Sequence, residues 1–210
     1  SFDNAFSVQY TGTNTNPRRY AHQLSDEIHR QQRGVEGVAR TRVAFVSDRD
    51  GESVLGLVED RPVKEVYFAD YDGANIQRLT VTRILNLFPA WSPDGRWIVA
   101  SRWRPGAFYD LFVMNADGNV LHRVTYDRAV DQAPTWSPDG RWILWSSDRS
   151  GIPNLYAVAV DSTTGAPGSI RQVTNVLGGA AYPSVDPSGG WIYYSGYHAN
   201  GWNIERIRYD

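Results

Sequence analysis

The octet WSPDGRWI occurs twice in this chain of 210 residues, at 91–98 and again, 45 positions later, at 136–143. A degenerate copy, VDPSGGWI, follows at 185–192, where Val185 replaces the first tryptophan. Internal repetition at such a period indicates one supersecondary unit in tandem copies, each burying its apolar faces against its neighbours. The chain is therefore expected to fold as a series of similar units.

Each octet predicts a tight turn followed by a buried strand. In Ser-Pro-Asp-Gly, proline presets φ at the first central position of the turn and glycine accepts a positive φ after it. The next stretch, RWILWSS at 141–147, is apolar on both faces, because Trp142 and Leu144 alternate with Ile143 and Trp145. A strand that is apolar on both faces is covered on both sides.

Two further signals complete the unit. Asp-Tyr-Asp-Gly at 70–73 and Asn-Ala-Asp-Gly at 115–118 predict hairpin turns, and short polar strands ending in Leu-Thr or Val-Thr follow (IQRLT, LHRVT, IRQVT). One unit is thus four antiparallel strands, and such a sheet repeated every ~45 residues is a β-propeller blade. We expect an all-β fold with about four blades. They lie near 38–87, 88–132, 133–181 and 182–210, and the last is incomplete.

The repeat xPxWSPDGRWIxxSxRxG…LxxMNADG…VT resembles that of TolB and TolB-like β-propellers, over about residues 38–210. The resemblance implies six blades, a periplasmic location and protein partners in a membrane or outer-membrane-associated complex. It also implies that residues 1–37 are the last part of an N-terminal α/β domain, with a strand in FSVQYTG and a helix over 17–33. Asn16 as N-cap, Pro17 in the first turn and Gly34 past the end favour that helix independently.

Four units fall short of six blades, and three arrangements stay open. The chain is part of a longer one, a partner covers the exposed strand edges, or four blades close on themselves.

Composition excludes several classes of function. A net charge of −2 argues against a nucleic-acid partner, whose binding requires a basic surface. The absence of cysteine excludes disulfides, thiol catalysis and zinc–thiolate sites. No apolar run approaches the roughly 20 residues that cross a bilayer, so we expect no membrane-spanning segment in the chain.

No catalytic or metal signature stands out. The sequence has no G-x-S-x-G motif, and Ser92 and Ser137 belong to the repeated turn. His22, Asp26 and His29 share one helical face; a metal ion needs this spacing, but we favour an ordinary solvated face. The Asp-Tyr-Asp-Gly segment lacks the later carboxylate of a calcium loop. We therefore predict no enzymatic activity, no metal and no cofactor.

One positional regularity suggests a binding surface. The three later units carry an arginine or histidine thirteen residues after the tryptophan or valine that opens the octet, and Arg49 occupies the matching loop of the first unit. If the strand before the octet turn is innermost, these loops share a face with the loops that enter each blade. Arginine and aromatic residues are typical anchors of protein interfaces. The predicted partner-binding residues are Arg49, Phe88, Arg104, Asp131, Arg149, Tyr182 and His198.

A local role competes with this prediction, because Arg49 and Arg149 directly follow Asp48 and Asp148 and could stabilise their own loops. Three functions stay open. We favour a scaffold for protein–protein contacts, or an accessory subunit, in the bacterial envelope. The alternatives are the propeller part of a larger serine-peptidase-type hydrolase and a propeller that holds a small ligand in its channel.

Overall fold

The computed structural model describes residues 17–53, 62–106 and 108–209. The predicted strand in FSVQYTG and the N-cap Asn16 lie outside these residues. Within them the chain forms one helix and fourteen strands: α1 (Pro17–Arg33), β1 (Arg42–Ser47), β2 (Glu65–Asp70), β3 (Gln77–Arg78), β4 (Asn86–Trp91), β5 (Trp97–Arg104), β6 (Phe108–Asn115), β7 (Val120–Arg123), β8 (Gln132–Trp136), β9 (Trp142–Ser147), β10 (Asn154–Val160), β11 (Pro167–Gln172), β12 (Ala180–Val185), β13 (Trp191–His198) and β14 (Gly201–Arg208).

The strands form four sheets, each from consecutive strands of the chain. The first sheet contains β1 to β3, the second β4 to β7, the third β8 to β11 and the last β12 to β14. The fold is therefore an all-β, incomplete β-propeller, as the sequence predicts. Two sheets have the four strands expected of a blade. The first and last have three among the described residues, and no octet-type turn precedes β1.

Two compact units divide the chain. Among the described residues, the first unit comprises 17–43 and Phe68–Gln77, and the second comprises the rest. The first unit contains α1 and the predicted Asp-Tyr-Asp-Gly turn, in which Gly73 N donates to Asp70 O at 2.8 Å. The second unit contains the sheets formed by β4 to β7, β8 to β11 and β12 to β14.

The repeated octet forms the turn that its residues predict. Gly95 has a φ of +69° and its N–H donates to Ser92 O at 2.9 Å. The hydroxyl of Ser92 accepts a hydrogen bond from Trp97 N, also at 2.9 Å. The second octet repeats both bonds at the same distances. The serine thus closes the turn and sets the start of the next strand.

Large apolar side chains pack sheet against sheet. Ile143 and Trp145, on one face of β9, join a buried cluster with side chains of β5 and β6. Trp142 and Leu144, on the other face, pack in a second cluster with side chains of β12 and β13. The third sheet is therefore covered on both sides, which confirms the prediction from the apolar run at 141–147.

The innermost strands of the last three sheets are neighbours. β8 lies between β4 and β12 and contacts both. The indole N–H of Trp136 in β8 donates to Ala90 O in β4 at 3.1 Å. In the last sheet Val185 takes the position of this tryptophan. This arrangement brings the ends of the three inner strands together.

In the first unit, α1 spans the predicted residues 17–33 and Gly34 N donates to Arg30 O at 2.9 Å. The one buried residue of α1 is polar. Asp26 is only 3 % exposed, whereas the apolar Leu24 and Ile28 are 40 % and 38 % exposed. The expectation of a solvated His-Asp-His face is therefore wrong at its central residue.

Asp26 is buried because backbone and side-chain donors surround its carboxylate. It accepts hydrogen bonds from Ala39 N and Arg40 Nε, both at 2.7 Å. A Cβ at Gly37 would lie 2.2 Å from Asp26 Oδ1, so only glycine fits there. Burial raises the pKa of Asp26, but the hydrogen bonds from Arg40 and Ala39 outweigh it and the net pKa is lowered.

Candidate partner-binding face

Each of the three inner strands carries a strained bulge at an X-Pro step. Phe88, Ala133 and Tyr182 have φ values of +52°, +51° and +55°, and strand pairing shifts register at each of them. A left-handed φ costs a non-glycine residue about 1–2 kcal/mol, and the residue before a proline normally adopts an extended conformation. The bulge is nevertheless repeated in three consecutive sheets, which marks it as a built feature.

Two of these bulges carry aromatic rings that reach the surface. Phe88 is 38 % exposed and Tyr182 is 51 % exposed. Their ring centroids lie 6.4 Å apart with an edge-on angle of 65°. The two residues belong to β4 and β12, and the small Ala133 of β8 stands between those strands. The inner strands therefore end in an exposed aromatic pair.

The predicted loops after β5, β9 and β13 lie at this same end of the sheets. Asn86, at the start of β4, pairs with Arg102 of β5, two residues before Arg104. The third and last sheets have the corresponding register. We call this end, with the three bulges and the loops that follow β5, β9 and β13, the bulge face. These loops therefore lie at the same end as the segments that enter the inner strands, as the sequence analysis expects.

Arg49 and Arg149 occupy equivalent loops, SDRDG and SDRSG. In each, the arginine Nε donates to the hydroxyl of the serine two residues earlier, at 3.3 Å and 3.1 Å. Each guanidinium also lies over two aromatic rings, which holds it against its own sheet. The rings are Phe45 and Tyr67 for Arg49, at 5.4 and 5.1 Å, and Trp145 and Tyr156 for Arg149, at 5.5 and 4.7 Å.

Asp131 is fully buried and holds Arg149 in place. It accepts hydrogen bonds from Trp145 Nε1 at 2.9 Å and from Arg149 Nη2 at 3.0 Å. Asp127 lies 3.3 Å from the same Nη2 atom. Asp148, the sequence neighbour expected to pair with Arg149, instead accepts a backbone N–H at 2.7 Å. The arginine is thus fixed by acids distant in sequence, and its side chain is only 18 % exposed.

The equivalent Arg104 uses a different acid. Its Nη1 lies 2.8 Å from Asp110 Oδ2, and Arg123 Nη2 lies at 2.8 Å from the same oxygen. Burial raises the pKa of Asp110, and the two guanidiniums oppose that rise without cancelling it. The Arg104 side chain is 38 % exposed, so its outer edge remains at the surface.

His198 is half exposed, and its Nε2 contacts Glu205 Oε1 across the hairpin of β13 and β14. Hydrogen bonds from Tyr194 and His198 lower the pKa of Glu205. Burial, with the hydrogen bond to Glu205, raises the pKa of Tyr194 to about 12. Of the seven predicted residues, the three arginines, His198 and Asp131 therefore contact other side chains of their own sheets, while the exposed rings of Phe88 and Tyr182 contact each other.

The predicted set omitted a buried polar position near the start of the strand before the outermost one in each of the first three sheets. Glu65, Asp110 and Asn154 are 1 %, 0 % and 2 % exposed there. A threonine two residues past the outer strand accepts the backbone N–H of the residue that follows the buried polar one. These threonines are Thr80, Thr125 and Thr174, with distances of 2.9, 3.0 and 2.8 Å. The repeated Leu-Thr or Val-Thr ending is the sequence signal for this position.

The histidines of α1 do not converge on a metal. His22 Nε2 lies 3.7 Å from Asp72 Oδ2, and His29 Nδ1 lies 3.2 Å from Val35 O, while Asp26 is engaged as described. In the described ranges, no group of three or more histidine or carboxylate side chains could hold a metal ion. Nor does a described helix have the length and apolar character to cross a membrane.

Residues 83–210 match the family described as the TolB beta propeller domain. The Tol-Pal system protein TolB of Geobacter sulfurreducens is 41 % identical over 88 residues, covering 42 % of this chain and 18 % of that protein. That of Desulfosudis oleivorans is 33 % identical over 105 residues, covering 50 % and 21 %. The matched segments thus span about a fifth of the length of these curated relatives.

Two solved TolB structures share the fold. The one from Agrobacterium tumefaciens superposes with a TM-score of 0.64 at 22 % identity, covering 80 % of this chain and 57 % of that one. The one from Acinetobacter baumannii gives 0.50 at 18 % identity, covering 95 % and 58 %. With the repeats, the stacked sheets and a family match over more than half of its length, this chain belongs to the TolB β-propeller domain family.

Proposed function

We propose that the chain is a non-enzymatic TolB-like propeller that binds a partner protein through the bulge face. Relatives named Tol-Pal system protein TolB support a role as scaffold or accessory subunit of a membrane-associated complex in the bacterial periplasm. The observation that carries the proposal is the exposed pair of Phe88 and Tyr182 on strained bulges.

The strained backbone of the bulges does not explain why two of them carry aromatic side chains. Ala133 adopts the same φ as Phe88 and Tyr182, so the bulge itself does not require an aromatic residue. An aromatic side chain is a poor choice for a left-handed φ, where asparagine or glycine is favoured. Rings exposed at 38 % and 51 % also bury only part of their apolar area within the fold. A contact outside the chain accounts for rings at these positions.

The surroundings indicate the chemistry of the partner. A groove of about 490 Å³ lies at the same end of the second sheet, beside Arg104. Tyr126, which is 69 % exposed, and Arg128 line it, and Arg123 lies over the Tyr126 ring at 4.5 Å. Tyrosine and arginine are enriched among residues that dominate interface energetics. We expect an apolar anchor on the partner to contact the ring pair and carboxylates to contact Arg104 and Arg128.

The double variant Phe88→Asn/Tyr182→Asn tests the proposal. Asparagine tolerates the left-handed φ, so the fold is retained while both rings are removed. The partner to test first is the Pal protein of the same bacterium, because the relatives are named for the Tol-Pal system. We expect the dissociation constant, measured by isothermal titration calorimetry, to rise at least ~30-fold, which corresponds to about 2 kcal/mol for lost interface anchors.

Tyr71→Asn is the matched control, since Tyr71 is a 43 % exposed tyrosine in a turn outside the bulge face. It should leave the dissociation constant unchanged. If the double variant bound Pal as tightly as the parent chain, the bulge face would not be the binding surface for this partner.

A further inference from the structure

The hairpin of β13 and β14 contains the one Asn-Gly dipeptide of the sequence, Asn200-Gly201. Asn200 is exposed and lies in the two-residue loop 199–200, which joins β13 to β14. The loop is closed by the pairing of His198 with Gly201. It belongs to the bulge face, but the proposed contact with a partner protein does not use Asn200.

Glycine after Asn200 removes a steric barrier to an attack on its side chain. The amide carbon Cγ of an asparagine is within reach of the backbone nitrogen of the next residue, and a Cβ on that residue hinders the approach. Gly201 has no Cβ and a φ of +110°. A Cβ built there would meet nothing within 4 Å, so the surroundings of the turn are open.

Few contacts hold the Asn200 side chain in place. Among the described residues its amide takes part in one hydrogen bond, which Oδ1 accepts from Asn203 Nδ2 at 3.5 Å, longer than an ordinary hydrogen bond. By contrast, Asn115 Oδ1, in the turn after β6, accepts two backbone N–H groups at 3.1 and 2.9 Å. The Asn200 amide is therefore free to rotate towards the nitrogen of Gly201.

We propose that Asn200 is a site of spontaneous deamidation. The backbone nitrogen of Gly201 forms a bond to Asn200 Cγ and loses its proton, and the side-chain nitrogen leaves with that proton as ammonia. One water molecule then opens the resulting succinimide ring at either of its two carbonyl carbons. The products are aspartate and isoaspartate, and both carry a carboxylate where the parent chain has an amide.

The Asp-Gly turns of the two octets are expected to resist the same reaction. Burial raises the pKa of Asp94, but hydrogen bonds from Ser92 and from the N–H of Arg96 outweigh it, so the net pKa is lowered. Asp139 has the equivalent contacts and a pKa lowered in the same way. Both side chains are therefore ionised at neutral pH, and the negative charge of a carboxylate repels an attacking electron pair.

Deamidation changes both the charge and the backbone of this hairpin. Either product adds a negative charge two residues from His198, whose Nε2 contacts Glu205. Isoaspartate also lengthens the main chain by one carbon atom beside the pair of His198 and Gly201 that closes the hairpin. An effect on partner binding rests on the proposed function, because the loop lies on the bulge face, whereas the conversion itself does not.

Peptide mapping by mass spectrometry, after storage of the folded chain in mildly alkaline buffer, tests the proposal. The peptide with Asn200 should gain about 1 Da and separate into two products of equal mass. Asn203 is the matched control in the same hairpin, because it is also exposed but precedes the β-branched Ile204. We expect conversion at Asn200 to be at least about tenfold faster, a barrier difference of about 1.4 kcal/mol.

Variants of the hairpin assign the reaction to Asn200. Asn200→Gln should abolish the gain in mass, and Asn203→Gln should leave it unchanged. A single product, aspartate, would show direct hydrolysis of the amide and would contradict attack by Gly201. Equal rates at Asn200 and Asn203 would also contradict the proposal.

The same measurement on the urea-unfolded chain shows whether the hairpin permits the reaction. If Asn200 stayed intact in the folded chain over a period that converts it in the unfolded chain, the hairpin would protect it and the proposal would be overturned. None of these outcomes depends on a partner protein, so this test and that of the bulge face fail independently.

Discussion

The second and third sheets contain the same octet, but each buries its aspartate at the position where the other buries an asparagine. In the second sheet the acid is Asp110, in the third strand, and the inner strand begins with Asn86. In the third sheet the acid is Asp131, beside the inner strand, and the third strand begins with Asn154. Each sheet thus buries one aspartate and one asparagine, and all four residues are at most 2 % exposed.

In each of these two sheets, the arginine after the octet pairs with the buried aspartate of its own sheet. Arg104 pairs with Asp110, and Arg149 pairs with Asp131, although the two arginines occupy the same position of the repeat. The turn and the apolar faces are thus common to both sheets, whereas the polar interior differs. What the two sheets share is one buried carboxylate with one guanidinium at the bulge face.

The largest loss of stability is expected when the third sheet is given a residue of the last one. Trp136→Val introduces the residue that the last sheet has at Val185. The change removes the indole between β8 and β4 together with its hydrogen bond to Ala90 O. We expect the free energy of unfolding to fall by about 3 kcal/mol, because a cavity replaces a large buried side chain. Urea denaturation followed by tryptophan fluorescence or circular dichroism measures this loss. A change below about 1 kcal/mol would show that the inner strands do not depend on this contact.

Removal of the buried acid in the third sheet should have the next largest effect. Asp131→Asn keeps the shape but leaves Arg149 facing an amide, so we expect a loss of about 2 kcal/mol in the free energy of unfolding. The matched variant Asp131→Asn/Asn154→Asp transfers the acid to the position that it has in the second sheet. It should recover about half of the loss, as a double-mutant cycle would measure. A purely additive double variant would contradict the idea that either position can hold the carboxylate.

The two kinds of aspartate in these sheets predict opposite pH effects. Burial raises the pKa of Asp139 in the octet turn, but hydrogen bonds from Ser137 and Arg141 outweigh it, so the net pKa is lowered. A lowered pKa in the folded state gives stability that is present above the unfolded pKa of about 3.9 and is lost as the pH falls. Asp139→Asn should therefore flatten the loss of stability in urea titrations between about pH 5 and pH 3.

Asp110 provides the contrast, because burial raises its pKa. A raised carboxyl pKa gives stability that is present below the unfolded pKa and is lost as the pH rises through the folded value. Removal of this titration by Asp110→Asn should make stability fall more steeply towards low pH, the reverse of Asp139→Asn. Parallel pH profiles for the two variants would contradict the assignment.

The smallest effect is expected at the bulges themselves. Tyr182→Asn removes a ring that is 51 % exposed and relieves a residue with a φ of +55°. We expect the free energy of unfolding to stay within about 0.5 kcal/mol of the parent or to rise slightly. Ala133→Asn is the control at the same backbone geometry. A loss of more than about 1 kcal/mol for Tyr182→Asn would mean that the ring supports the fold.

Periodicity along the chain predicted the sheets, because short-range patterns determine them. The octet predicted its turn, the alternation at 142–145 predicted burial on both faces, and Pro17 and Gly34 predicted the helix between them. Because consecutive strands of a blade run antiparallel, the sequence also predicted that these loops lie at one end of the sheets.

The polar contacts were not predictable in the same way, because they join residues far apart in the chain. Arg149 has Asp148 beside it in the sequence but pairs with Asp131, which depends on how β8 and β9 are paired. A residue before a proline normally has an extended backbone, so local preference predicts the wrong φ for Phe88. Only the repetition of the X-Pro dipeptide marks this position in the sequence.

Amide hydrogen exchange of the chain, free and bound to Pal, tests the central claim most directly. The account predicts slower exchange on binding at the bulges of β4, β8 and β12 and in the loop after β5, with little change elsewhere in the sheets. Protection confined to β14 or to α1, with the three bulges unaffected, would contradict binding through the bulge face.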